Sequence, residues 1–347
     1  MLDKRTRFHY GWVMLTMAVL VTLSSIGLAR FGYTMILPAM QRGLDLSNTQ
    51  TGALATANFI GYLVLALVGG FLASYYGPKR VIALSLGLVG VSMILTGFSK
   101  SFAQGLLWRA MAGIGSGASN VPMMGLLAAW FAPRRRGLAT GIAVSGSSLG
   151  LIVTGPLVPL ILNASELDGW RWSWFILGGF VLLVAVVARF FLQDRPSDRG
   201  LLPVGAAPAE PAASVQGAPL GMRSLALVHR SPIVWKLSLI YTAFGFSYIV
   251  YATFFAKYLQ SEVGLTRQGA GRLWLTAGWI SLFCGLLWGW ISDLIGRRSA
   301  LILVNLIHAT AYLIFALWTE PLGRYCSVVL FGLTAWSIPA IMAAACG

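Results

Sequence analysis

The sequence predicts an all-α membrane protein, and three observations carry that prediction. Of its 347 residues 57% are hydrophobic and 10% charged, against about a quarter charged in an ordinary soluble domain. The apolar residues gather in continuous runs long enough to cross a bilayer as helices, which takes roughly 20 residues. The runs do not alternate apolar and polar with period two, and this excludes a strand-built barrel.

The first run, 12–37, follows Lys4, Arg5 and Arg7. It is too long for the apolar segment of a signal peptide, about 7–15 residues, and reads as a first span. Further runs lie at 49–75, 81–98, 103–130, 138–162, 172–192, 235–259, 269–292, 300–318 and 325–345, giving about ten transmembrane helices, six and then four. Between the groups, 193–233 is rich in Pro, Ala and Gly and holds no run able to span. It reads as a flexible cytoplasmic linker between an N-terminal half, 1–192, and a C-terminal half, 234–347, with spans seven to ten.

The net charge of +15 does not point to nucleic acid, because the basic residues sit in short clusters between apolar runs rather than along one soluble face. Their distribution sets orientation instead: 16 lie on the N-terminal side of the membrane and 7 on the other. This positive bias predicts a cytoplasmic N-terminus in a multi-pass protein of the inner (plasma) membrane. Cys284, Cys326 and Cys346 show no metal-ligand spacing. With no Walker loop or glycine-rich nucleotide fingerprint, no metal, cofactor or ATP-driven pump is expected.

Two loops, each following the second span of its group, repeat at an offset of 219 residues. The first runs Gly70-Phe-Leu-Ala-Ser74-Tyr-Tyr-Gly77-Pro-Lys79-Arg80, and the second Gly289-Trp-Ile-Ser-Asp293-Leu-Ile-Gly296-Arg297-Arg298. Arg109-x3-Gly113-x-Gly115-x-Gly117 in span four, the glycine series after Arg136, and the run from Asp194 to Pro203 add further signatures. Together these resemble the major facilitator superfamily, whose transporters are built from two six-helix halves. The last two signatures are similar to its organic-anion branches (oxalate/formate and monocarboxylate carriers), and Ala29-Arg30 through Pro38 to the YbfB/YjiJ-like branch. The resemblance implies twelve spans, so a truncated product is expected over a genuine ten-helix carrier. It also implies gating by Gly70, Gly77, Gly289, Asp293, Gly296, Arg297 and Arg298. Asp293 would latch the cytoplasmic side by facing the start of span five, where the helix dipole favours its charge.

The candidate substrate ligands are Arg30, Tyr33, Asn58, Tyr62, Arg109, Asn120, Tyr248 and Tyr251. Arg30 lies roughly 11 Å below the outer end of span one if that span ends at Pro38. An uncompensated arginine there costs at least about 2.5–3.5 kcal/mol, and all ten acidic residues fall in loops or at span ends. A bound anion would complete the charge pair. Arg109 shares a helical face with Asn120 and suits either a ligand or a packing role. Asn58 and Tyr62 are one turn apart on span two. Tyr248 and Tyr251 belong to an aromatic stripe on span seven, the repeat partner of span one, with Tyr33 and Tyr251 offset by 218. His308 is a lone titratable group in span nine. The reading is a monomeric, non-enzymatic carrier in the lipid bilayer that moves a small anion by alternating access. The rival of the same class is an exporter of lipophilic compounds. A membrane-embedded enzyme or receptor would need an intramembrane acid–base or metal cluster, or a folded soluble module, and the sequence offers neither.

Overall fold

A computed structural model describes residues 9–206, 232–338 and 341. Most of the linker, the basic N-terminal residues and the end of the tenth span lie outside the described residues. The described chain forms ten helices: α1 (Gly11–Gly43), α2 (Asn48–Tyr76), α3 (Pro78–Gly97), α4 (Phe102–Trp130), α5 (Pro133–Ala164), α6 (Gly169–Phe191), α7 (Pro232–Ser261), α8, α9 (Arg297–Leu317) and α10 (Pro321–Thr334). Helix α8 comes in two segments, Arg267–Ser281 and Cys284–Ile295, that meet at 44°.

Local chemistry sets the boundaries. Proline opens α3, α5, α7 and α10, where its missing N–H would be unpaired in any case. Ser47 begins α2 with a capping box: its hydroxyl accepts from the Gln50 amide while the Gln50 side chain accepts from the Ser47 amide. Ser101 and Thr266 cap α4 and α8 through their hydroxyls. The two repeated loops turn on Gly77 and Gly296, with φ 87° and 84°, a conformation that favours glycine.

Six helices are long and apolar enough to cross a membrane alone, and eight when bent α2 and α8 each count as one span. Outside that group, α4 is 29 residues long but turns Arg109, Asn120 and a run of Gly and Ser into the protein. It packs along its length against α2 and α3. The described part of α10 is 14 residues.

Span one differs from expectation in two ways. It does not stop at Pro38 but continues to Gly43, so Arg30 lies roughly 20 Å from that end at 1.5 Å per residue, too deep to reach the interface by extending its side chain. Second, Leu23–Phe31 is wound as a π-helix, a rare local geometry that concentrates at functional sites. Small residues permit the crossing there. A Cβ on Gly150 of α5 would sit 2.2 Å from the Cα of Gly27, so two backbones touch.

The two groups of helices are joined tightly at the end of the bundle away from the N-terminus. Arg267 donates to the Leu162 carbonyl at 3.0 Å and to Asn163 Oδ1 at 3.3 Å, and Lys257 donates to Asn48. Thr34 donates to the Ala252 carbonyl at 2.7 Å; these two residues are 218 apart, so equivalent positions of the repeat meet across the interface. Deeper in, Ser148 accepts from Ser281 at 2.8 Å and from Trp336 Nε1 at 2.7 Å. Toward the N-terminal end the groups part. The second segment of α8 touches α5 sparsely, near Leu286 and Gly141, and its Trp290 and Leu294 are exposed.

The first part of the expected flexible linker is ordered. Trp130 donates to the Gln193 carbonyl at 3.1 Å, and Asp194 Oδ1 accepts from the Lys79 amide at 2.7 Å. Val204 exchanges backbone hydrogen bonds with Trp130 and Ala132. The turn of Pro196–Arg199 lies between these ties, with the Arg199 guanidinium over the Tyr10 ring at 3.8 Å. Residues 193–206 thus strap the N-terminal ends of α1, α3 and α5 to the end of α4.

Candidate functional site

The candidate ligands separate into two clusters, one around Arg30 and one around Arg109. In the first, the Arg30 guanidinium lies over the rings of Phe59 and Tyr62, 4.4 and 4.6 Å from their centroids. Its Nε and Nη2 are buried and have no hydrogen-bond partner. Two cation–π contacts at a half-buried guanidinium offset roughly 1–2 kcal/mol, part of the cost of the intramembrane charge. Each unmet N–H still costs about 1–3 kcal/mol. Nε and Nη2 form one edge of the guanidinium, the two-donor fork that matches a planar oxyanion. The charge also bears on Tyr241 and Tyr248 of α7. The Tyr62 hydroxyl donates to Asn120 Oδ1 at 3.4 Å, which leaves Asn120 Nδ2 buried without an acceptor.

The second cluster is more tightly buried, with Arg109 Nε and Trp174 Nε1 in it also lacking a partner. Arg109 is 1% exposed and donates from Nη1 to the Ala29 carbonyl at 2.6 Å, within the π-helical stretch of α1. Its guanidinium lies 4.5 Å from the Tyr33 ring and 5.4 Å from that of Trp174. Tyr33 is 2% exposed and donates to the Thr51 carbonyl at 2.9 Å. Asn58 braces the same region, donating from Nδ2 to the Arg109 carbonyl at 3.1 Å, while its Oδ1 is unmet. Arg109 and Tyr33 therefore brace α1 through the Ala29 and Thr51 carbonyls.

Across the interface, Phe31 contacts Tyr248, Trp274 and Trp336 at 6.1, 6.3 and 5.4 Å between ring centroids. Span one and span seven meet here, and Tyr248 is the tyrosine at the junction. Tyr251 points elsewhere. It shares a hydrogen bond of 3.1 Å with Ser327 and packs on Phe331, Phe315 and Tyr312 inside the second group. His308 is stacked between Phe244 and Tyr312 at 5.3 and 5.6 Å, with both nitrogens unpartnered.

Among the gating candidates, Gly77 and Gly296 make the two equivalent turns. The Gly70 and Gly289 carbonyls accept from Ser74 and Ser292, at 3.0 and 2.9 Å. Asp293 does not face the start of α5 in this structure. It is exposed and pairs with Arg297 one turn on, at 2.5 Å, because the groups are parted at this end. Arg297 also donates to Ser292, and Arg298 is exposed. The place that Asp293 holds in the second loop is held in the first by Ser74, and there Asp194 of the strap caps α3.

Sequence reasoning missed Phe59, Phe31, Trp274 and Trp336. Phe59 was legible as the residue one helical turn before Tyr62. The other three needed the packing of distant helices.

A family model described as Major Facilitator Superfamily matches residues 19–347. A probable sulfoacetate transporter of Cupriavidus necator is 27% identical over 241 residues, 68% of this chain and 54% of that protein. A hexuronate transporter of Bacillus subtilis is 26% identical over 305 residues, 83% of this chain and 68% of its own length. The membrane sensor protein UhpC of Salmonella typhimurium is 28% identical over 340 residues, 93% of this chain and 73% of its own. The match to the first of these thus spans about half of that relative. The fold is similar to that of a bacterial homologue of the human lysosomal transporter Spinster in an inward-facing, unoccupied conformation. The TM-score there is 0.73 at 18% identity, covering 97% of this chain and 74% of the other.

Proposed function

The chain belongs to the major facilitator superfamily, and from that premise we propose that this multi-pass membrane transporter, which is not an enzyme, carries a small organic anion by alternating access with Arg30 as the ligand for the charge. The single observation behind this is the unmet Nε–Nη2 edge of Arg30, set deep in a span with no carboxylate among the described residues to neutralise it. An anion supplies both the missing charge and two coplanar acceptors. Two relatives are named for cargoes that are themselves anions, sulfoacetate and hexuronate.

The 16 to 7 distribution of basic residues supports a cytoplasmic N-terminus and strap, with the carrier in the inner membrane. The parted end then faces inward. When that end closes, Asp293 exchanges Arg297 for the start of α5, and the far-end bonds of Arg267 and Lys257 break. The carrier works as a monomer, and the halves 1–192 and 234–347 rock against each other.

A thermal-shift screen against mono- and dicarboxylates, inorganic anions and hydrophobic cations tests the reading. Anions should stabilise the wild type and leave Arg30→Ala unmoved. Stabilisation by cations, or by anions equally in Arg30→Ala, sinks it in favour of an exporter of lipophilic compounds. The relative named as a sensor favours a second reading, in which the anion is bound but not moved. Flux of labelled anion into proteoliposomes separates the two.

A further inference from the structure

We infer that the anion carries a second oxygen, a hydroxyl or carbonyl on its carbon chain, and that Asn120 reads it, so that the site selects oxygenated acids over plain alkyl ones. This rests on the anion reading of Arg30 and goes beyond it. Asn120 is 7% exposed on α4, and its amide is oriented. Oδ1 accepts from the Tyr62 hydroxyl, which turns Nδ2 the other way, where it meets no acceptor. The same tyrosine ring lies against the Arg30 guanidinium at 4.6 Å. One side chain therefore lies against the unmet pair of cationic donors and hydrogen-bonds, at 3.4 Å, the amide whose own donor is unmet.

A buried amide donor is normally satisfied, and nothing on α1, α2 or α4 satisfies this one. An alkyl acid would fill the charge site and leave the Asn120 donor buried and bare. An acid with an oxygen one tyrosine ring away from its carboxylate would meet both. Sites built to hydrogen-bond a substrate oxygen discriminate strongly against analogues that lack it, because the protein donor is then left unpaired. Asn120 is thus assigned as a specificity residue, and Tyr62 as the residue that positions it while also walling the Arg30 site.

Gluconate and hexanoate test this, since they share a six-carbon chain and a carboxylate and differ in hydroxylation. The affinity of the purified full chain for each is measured by titration in detergent. Wild type should bind gluconate at least tenfold tighter than hexanoate. Asn120→Leu should lose that preference through weaker gluconate binding, with hexanoate unchanged. Asn120→Ala serves the same purpose if the leucine variant misfolds. Tyr62→Phe keeps the ring under Arg30 but frees the amide, and it should narrow the preference while hexanoate still binds. Equal affinity of the wild type for the two acids overturns the inference and leaves the anion reading standing. So does an Asn120→Leu variant that weakens both acids by the same factor. Gluconate binding that persists undiminished in Arg30→Ala, or no binding of either acid, overturns both readings together.

Discussion

Replacing Gly150 by alanine should be among the most damaging small changes in the protein. The added Cβ would stand 2.2 Å from the Gly27 Cα and 2.6 Å from its carbonyl carbon. Non-bonded carbons settle at about 3.5–4.0 Å, so α1 and α5 must separate by more than about 1 Å at their crossing. The obstacle is backbone, which cannot rotate aside as a side chain can. The cost therefore falls at the upper end of the usual overpacking range, about 2–3 kcal/mol. The displacement also reaches the site. Gly27 is three residues from Arg30 in the π-helical stretch, and moving that stretch draws the Ala29 carbonyl from Arg109 and Arg30 from its two rings. Thermal unfolding in detergent, with and without an anion that stabilises the wild type, reads both effects. Gly150→Ala should melt several degrees lower and lose most of the anion-dependent shift. Gly87→Ala and Gly125→Ala are the controls, since a Cβ there meets nothing within 4 Å and alanine is the better helix former by up to about 1 kcal/mol. If Gly150→Ala melts with these controls, the close crossing is not what holds α1 in place.

Asp194→Ala removes the carboxylate that caps α3 through the Lys79 amide, and it should cost about 1–2 kcal/mol, read as a lower melting temperature. No change would mean that the strap does not brace the N-terminal group. Asp293→Asn should slow exchange between the access states more than it weakens anion binding, since Asp293 lies far from Arg30 and pairs with Arg297 in the parted state. Wild-type flux and access equilibrium in the mutant would remove the latch. Cysteines placed singly at 79–80, 134–136 and in the strap should react with impermeant reagent from the cytoplasmic side alone. Reaction from outside intact cells would reverse the orientation.

The helices, the repeat and the deep arginine were legible in the sequence because each follows from a constraint acting on every residue alike. A bilayer offers backbone and charge no partner, so apolar runs of fixed length and a lone charge within one of them stand out whatever their neighbours. The paired Gly77 and Gly296 turns were readable for a similar reason, since that backbone conformation selects glycine locally. The division of labour among the polar residues was not readable. Arg30 and Arg109 look alike as cations in apolar runs, and so do Tyr33 and Tyr62 as tyrosines in spans. The π-helical stretch of α1 and the rotation of α2, α4 and α6 against it decided which were sealed in packing. Arg109 found one acceptor in the Ala29 carbonyl, with Tyr33 and Trp174 around it, while the buried Nε and Nη2 of Arg30, which lies against Phe59 and Tyr62, found none. Likewise Asp293 went to Arg297 because the groups are parted at that end, while Asp194 went to the Lys79 amide because the strap brings it to the start of α3. A spacing rule reports which side chains share a face of their own helix. Which of them are left unmet depends on the backbone that other helices bring up to that face, and only the folded bundle fixes it.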